Sequence, residues 1–244
     1  MKKGAVAMID ALGFRGIWDR WPPENILANM YTMKDRLEQD LSEIATQPDM
    51  QFDATFLSDT IVLGLALPST VPARAALSLI YVGDILTRIL AWSARSSTPL
   101  AYRGAIAYGE YEIGSHFVMG RAIDEAASYH ESAEGAIVWL LPDAKSLVGD
   151  WLHSQPRNTH LVRHPVPLKG GKSFQTYTVS PIVQARDQDD ARALVGSILA
   201  TFKGPNVDVA VKRQNTVEHL RSCYQWRGWP FPEGVDPFND VDNR

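Results

Sequence analysis

Residues 5–14 read AVAMIDALGF, and residues 52–65 read FDATFLSDTIVLGL. In each stretch an apolar run leads to an aspartate, Asp10 in the first and Asp59 in the second. Short apolar runs bounded by turn residues read as buried strands, so both carboxylates are expected at strand ends. Two such carboxylates suit a shared cation site. Hard divalent cations take oxygen ligands, and paired ions roughly 3.5–4 Å apart clamp the attacking and leaving oxygens of a phosphoryl displacement. The competing reading is local, with Asp10 as a helix cap and Asp59 as a turn residue.

The 244-residue chain is long enough for one large domain. A net charge of -4 and an isoelectric point near 5.9 argue against general binding to nucleic acid or anionic membrane. Cys223 is the lone cysteine, so no internal disulfide framework exists. No secretory pattern opens the chain, and the apolar segment 77–92 is broken by Asp84 and Arg88, short of the roughly 18 residues that span a bilayer. A soluble protein of the reducing cytoplasm is expected, without stable membrane contact.

Working outward, residues 5–9 form a strand, and residues 11–14 are expected to turn into a short helix whose free N–H groups suit phosphate oxygens. Residues 24–45 place Ile26, Leu27, Met30, Met33, Leu37, Leu41 and Ile44 at helical spacing, a stripe for the core or a dimer contact. Residues 50–67 read as an antiparallel hairpin with Asp59 at its tip. Residues 71–96 are a second long helix, with Pro72 tolerated in its first turn. A strand over 100–111 is expected to bend at Gly109-Glu110, followed by a helix over 120–132. Strands at 137–140, 161–166 and 174–179 follow, with a short helix over 142–148. Helices over 187–202 and 209–225, parted by Gly204-Pro205-Asn206, form a C-terminal appendage, and residues 226–244 an irregular tail that packs through Trp229 and Phe231. The expected class is α+β, a ferredoxin-like palm with helices on one face of a mixed sheet, divided into a catalytic domain over 1–181 and an appendage over 182–244.

The order of motifs carries a resemblance. Ile9-Asp10-Ala11-Leu12-Gly13-Phe14 is similar to the first metal motif of the class III nucleotidyl cyclases, and Phe56-Leu57-Ser58-Asp59 stands where that family has its second metal aspartate. The stretch from Tyr102 through Arg103-Gly104-Ala105-Ile106-Ala107-Tyr108-Gly109 resembles the family strand Arg-x-Gly-Ile-x-x-Gly. Pro167-Leu168-Lys169-Gly170 resembles its Lys-Gly turn. The match runs over residues 4–180.

The resemblance implies the class III cyclase homology fold and a homodimer with sites at the interface. It also implies two Mn²⁺ or Mg²⁺ ions held by Asp10, Asp59 and the backbone carbonyl of Ala11. The ribose 3′-hydroxyl would attack the α-phosphorus and pyrophosphate would leave, while N–H groups of Leu12, Gly13 and Phe14 cradle the phosphates. Arg103 would neutralise triphosphate, or pair with a carboxylate such as Glu110. Lys169 would reach the pyrophosphate, or be a solvated hairpin lysine.

The chain departs from the family pattern at four positions. Thr55 stands at the base-reading lysine, Ser58 at a glycine, and Asp124 and Ser128 at the asparagine and arginine that orient ribose and stabilise the transition state. Asp124 would meet ribose or base, or be an ordinary first-turn carboxylate. Intact metal residues with altered base readers resemble the pyrimidine cyclases of the Pycsar antiphage defence system. That likeness implies UTP as substrate and cyclic UMP as an antiviral signal read by a cyclic-nucleotide-sensing effector. The Thr55 hydroxyl can face uracil or cytosine, so CTP and cyclic CMP stay open.

Tyr129 and His130 read as partly buried polar aromatics, and Cys223 as a small packed residue. No histidine pair has helical zinc spacing, no Gly-x-Ser-x-Gly elbow occurs, and Gly170-Gly171-Lys172-Ser173 lacks the leading glycine of a P-loop. Two further classes stay open: a degenerate cyclase-like binding module without turnover, and a palm-type nucleotidyl transferase.

Overall fold

The computed structural model describes residues 1–44, 50–71, 73–114, 116–154, 160–204 and 206–235. Strand β1 (Lys2–Leu12) lies inside the sheet, antiparallel to β3 (Thr60–Ala66) on one side and to β4 (Ala101–Ile113) on the other. With β2 (Gln51–Leu57), β6 (Val138–Leu140), β7 (Leu161–Leu168) and β8 (Lys172–Val179), the order is β2-β3-β1-β4-β6-β8-β7. The short β5 (Val118–Met119) pairs with the end of β4. Only β4 and β6 run parallel among the described strand pairs, so the sheet is mixed.

Alternation sorts the strands into two faces. Ala5, Ala7, Ile9 and Ala11 of β1 join Ile61, Leu63, Leu65 and Ile106 on one face, where α1 (Pro23–Ile44), α2 (Arg74–Ala94) and α4 (Pro142–Ser154) cover them. Val6 and Met8 point the other way with Val62, Ala105, Ala107 and Trp139, and α3 (Arg121–Tyr129) covers these through Ala122, Ile123 and Ala126. Val162 and Thr178 share the Trp139 row, and α6 (Val207–Arg227) seats His219 and Ser222 against that part of the sheet. Helices therefore flank both faces, not one. The reason is in the strands: β1 buries six consecutive residues from Gly4 to Ile9, so a bare second face would leave apolar side chains in water.

The hairpin, both long helices and the later strands match their sequence-based positions. Two local expectations change. No helix starts at residues 11–14: β1 runs on through Leu12, Gly13 turns at φ 69°, and a 3₁₀ turn follows at Ile17–Asp19. Nor does β4 bend at Gly109-Glu110; it stays paired with β1 from Tyr111 back to Ala101. A Cβ on Gly109 would lie 3.4 Å from Ala122 Cβ, at ordinary contact distance from α3.

The stripe of α1 buries Ile26, Met33 and Leu37, while Leu27 and Tyr31 face outward and the side chains of Leu41 and Ile44 fall outside the description. Helix α2 has the length and apolar character of a membrane span, yet most of it is buried in the core, with Asp84 and Arg88 paired at its edge. Pro72 lies outside the described residues; α2 starts after Ala73 at φ 53°. Helix α5 (Gln188–Leu199) and α6 form a further apolar cluster with Ala91, Ala94, Ala101 and Val162. Asp187 and Asn206 cap these two helices with side-chain oxygens. Pro205 falls outside the description. Tyr224 stacks edge-on with Trp229 at 6.2 Å and Phe231 at 5.3 Å, as the aromatic tail predicts; residues 236–244 lie outside the described residues.

Candidate functional site

The β2–β3 hairpin closes on Ser58-Asp59, and its tip docks on β1. Asp10 sits opposite Thr60 in the β1–β3 ladder, and the Thr60 hydroxyl lies 3.5 Å from Asp10 Oδ1. The Ala11 N–H donates to the Asp59 carbonyl at 3.3 Å. These bonds set Asp59 beside Asp10, close enough for its charge to act on the Asp10 carboxyl. Burial raises the Asp10 carboxyl above its ordinary range, the Asp59 charge raises it further, and the Arg103 guanidinium opposes both. Asp10 lies inside β1, two residues before its end, and not at a helix cap.

Arg103 faces Asp10 across the β1–β4 ladder, with Nη2 3.5 Å from Asp10 Oδ2. It does not pair with Glu110, the partner suggested by sequence; its second carboxylate is Glu131, 3.2 Å away. Only 8% of Arg103 is exposed. Lys169 of the β7–β8 hairpin lies 3.6 Å from the same Glu131 oxygen. Five charged side chains thus meet: Asp10, Asp59 and Glu131 against Arg103 and Lys169.

Glu131 escaped the reading of the sequence. It follows α3 on an irregular segment, and its place comes from two backbone bonds to the far hairpin, Lys169 N–H to the Ser132 carbonyl and Glu134 N–H to the Pro167 carbonyl, both 2.9 Å. No local pattern announces a contact made 38 positions further along the chain. Its neighbour His130 stays within the helix end, its Nδ1 2.7 Å from the Ala127 carbonyl.

The other sequence-predicted residues divide. Thr55 is half-buried on β2, on the face that Asp10 shares, two residues back from Leu57 at the hairpin tip. Leu12 is buried and paired with Ala101, the Gly13 carbonyl accepts from the Arg20 guanidinium, and Phe14 meets Trp18 edge-on at 6.3 Å. The free amides expected of a helix start at 12–14 therefore belong to a strand end and a turn. Asp124 and Ser128 are exposed on α3, joined through the Ser128 hydroxyl and the Asp124 carbonyl at 2.7 Å, and do not enter the charged cluster. Tyr102 is buried beside the pair, its phenol pushed up by burial and then by the Asp59 charge.

Chemically, Asp10 and Asp59 side by side, the first with a raised pKa, form an oxygen donor set suited to a cation. Among the described residues no group of three or more His, Cys, Asp or Glu side chains gathers to hold a metal alone. Mg²⁺-type sites are often built from one or two carboxylates completed by substrate phosphates and water, and the donors here fit that pattern.

No protein-family model matches the chain, and no curated protein matches its sequence. Solved structures do. The catalytic core of a rhodopsin-guanylyl cyclase with converted specificity, in complex with ATPαS, superposes at a TM-score of 0.51 with 14% identity, over 72% of this chain and 93% of that one. An adenylate cyclase of Trypanosoma brucei in its monomeric state gives 0.51 with 11% identity, over 72% and 88% of the two chains. At such identities the likeness speaks of architecture, and the chain has the fold of the class III cyclase catalytic domains.

Proposed function

We propose that the protein is a metal-dependent nucleotidyl cyclase, converting a nucleoside triphosphate to its 3′,5′-cyclic monophosphate and pyrophosphate. The observation that carries this reading is the placing of Asp59 beside Asp10, through the Ala11 N–H to Asp59 carbonyl bond and the Asp10–Thr60 pairing, on a cyclase fold. Asp10, Asp59 and the Ala11 carbonyl are the groups that would hold two Mn²⁺ or Mg²⁺ ions. When bound, the ions supply charge neutralisation for the phosphates and acidify the ribose 3′-hydroxyl.

The chain's own residues contribute position and charge. Arg103 and Lys169 offer the cations that meet phosphoryl oxygens, where developing charge is what needs stabilising. Leu12, Gly13 and Phe14 line the turn beside the first carboxylate. Thr55, on the Asp10 face of the sheet, reads the base through one hydroxyl. Asp124 meets the ribose or base of a substrate shared with a second subunit. Leu57 and Tyr129 are half exposed near the charged cluster, and a homodimer that closes on them would complete the site.

UTP is the favoured substrate, with cyclic UMP as an antiviral signal in the cytoplasm for a cyclic-nucleotide-sensing effector; these finer points rest on the resemblance of the motifs. CTP and cyclic CMP are the alternative. A second reading, a nucleotide-binding module without turnover, draws on the seclusion of Asp124 and Ser128 from the charged cluster. Incubating the purified protein with each of the four NTPs and Mn²⁺, with mass spectrometry of the products, separates these readings. Cyclic UMP supports the first, cyclic AMP alone rejects the base assignment, and no cyclic product favours the binding module.

A further inference from the structure

Glu131 Oε2 is contacted by both cations of the cluster, Arg103 Nη2 at 3.2 Å and Lys169 Nζ at 3.6 Å. The partners differ in freedom. Arg103 is buried within β4, and its Nε has no hydrogen-bond partner among the described residues, so the guanidinium is held in place with donor capacity unused. The Glu131 side chain is 53% exposed and can turn to water at small cost. Its backbone neighbours are pinned to the β7–β8 hairpin, so it returns to the same place.

We propose that Glu131 is a resident counter-ion that occupies Arg103 and Lys169 until a polyphosphate displaces it. The inference rests on the cyclase reading and adds a residue to it. A triphosphate offers both cations several oxygens, matches the guanidinium fork and carries more charge than one carboxylate. Glu131 then swings to solvent, and its charge no longer opposes the incoming phosphate. In the empty site it offsets two cations that would otherwise attract any small anion. The device sets affinity and selectivity for polyphosphate while leaving the Asp10–Asp59 pair to its own task.

Titrating the full-length protein and its Glu131→Gln variant with sodium tripolyphosphate at low ionic strength tests the idea by calorimetry. With the half-exposed counter-ion removed, Glu131→Gln is expected to bind roughly three- to tenfold more tightly. The gap should shrink as salt rises, and Glu131→Asp, which keeps the charge, should fall between the two. With nucleotide, KM should fall in Glu131→Gln by about the factor seen with tripolyphosphate. Equal affinity, weaker binding by Glu131→Gln, or no measurable binding by either protein overturns the proposal. Failure of the cyclase reading shows separately, as absence of cyclic product from any NTP in the wild type, and leaves the tripolyphosphate comparison intact.

Discussion

The backbone N–H of Ala11 donates to the carbonyl of Asp59 across 3.3 Å, so the residue that follows one carboxylate is bonded to the residue that carries the other. Strand pairing next door sets Asp10 opposite Thr60. Together these bonds bring two like charges into contact, an arrangement that costs stability unless a cation shares it.

Asp10→Ala and Asp59→Ala are therefore expected to lose turnover by at least about a hundredfold, as removal of a charge-stabilising group in a preorganised site does. Asp59→Ala should not melt below the wild type in metal-free buffer, because it removes the repulsion on Asp10, whereas Asp10→Ala also strips the buried Arg103 of an ion-pair partner. Adding Mn²⁺ should raise the melting temperature of the wild type and not of either variant. Thermal unfolding with and without Mn²⁺ checks both statements, and full activity in both variants would refute the site.

Ser58 holds the hairpin tip at φ 61°, a left-handed conformation that disfavours residues with a Cβ. Ser58→Gly should stabilise the protein by about 0.5–1 kcal/mol, the relief of strain outweighing the added freedom of the unfolded chain. For a chain of this length that is a rise of roughly 1–4 °C in melting temperature. Ser58→Val should lower it, since branching at Cβ worsens the strain.

Gly104 lies under β1, where an added Cβ would stand 2.3 Å from the Met8 carbonyl oxygen and 2.6 Å from Ile9 Cγ2. Backbone cannot yield at the centre of a paired sheet. Gly104→Ala should destabilise by about 3 kcal/mol or more, in the range set by overpacking and lost strand pairing. Chemical denaturation measures it, and a change below about 1 kcal/mol would contradict the contact.

His219 is buried between α6 and the sheet, its Nε2 3.0 Å from the Thr178 hydroxyl and its ring 5.2 Å from that of His164. Burial, then the neighbouring imidazole, pushes its pKa well below the ordinary value near 6.5. Between the two values the unfolded chain binds the proton and the folded one does not, so stability falls as pH drops below about 6.5. Burial lowers His160 and His164 as well, with the same sign. The slope approaches roughly 1.4 kcal/mol per pH unit for each proton so linked, and His219→Gln should flatten it. Denaturation midpoints between pH 5 and 8 test the window.

Much of this architecture was legible because its signals are local. The apolar stripe of α1, the hairpin before and after Ser58-Asp59 and the Gly204-Pro205-Asn206 break between α5 and α6 each act within a few positions. Asp10 was legible through the run that buries β1. The short helix expected after it failed because pairing of Leu12 with Ala101 extends the strand past the point where local preference would turn the chain. Covering of the second face by α3 and α6 was hidden because the helices themselves show only one apolar side, not which side of a doubly buried sheet receives it.

The sequence by itself determined the two aspartates and the strand and hairpin that carry them, since these follow from residue type and nearest-neighbour geometry. Only the tertiary structure decided their company. Arg103 meets Glu131 instead of Glu110, and Asp124 and Ser128 stay outside the cluster. Charge has no periodicity along a chain, so which carboxylate answers which cation is set by how α3 and the β7–β8 hairpin dock on the sheet.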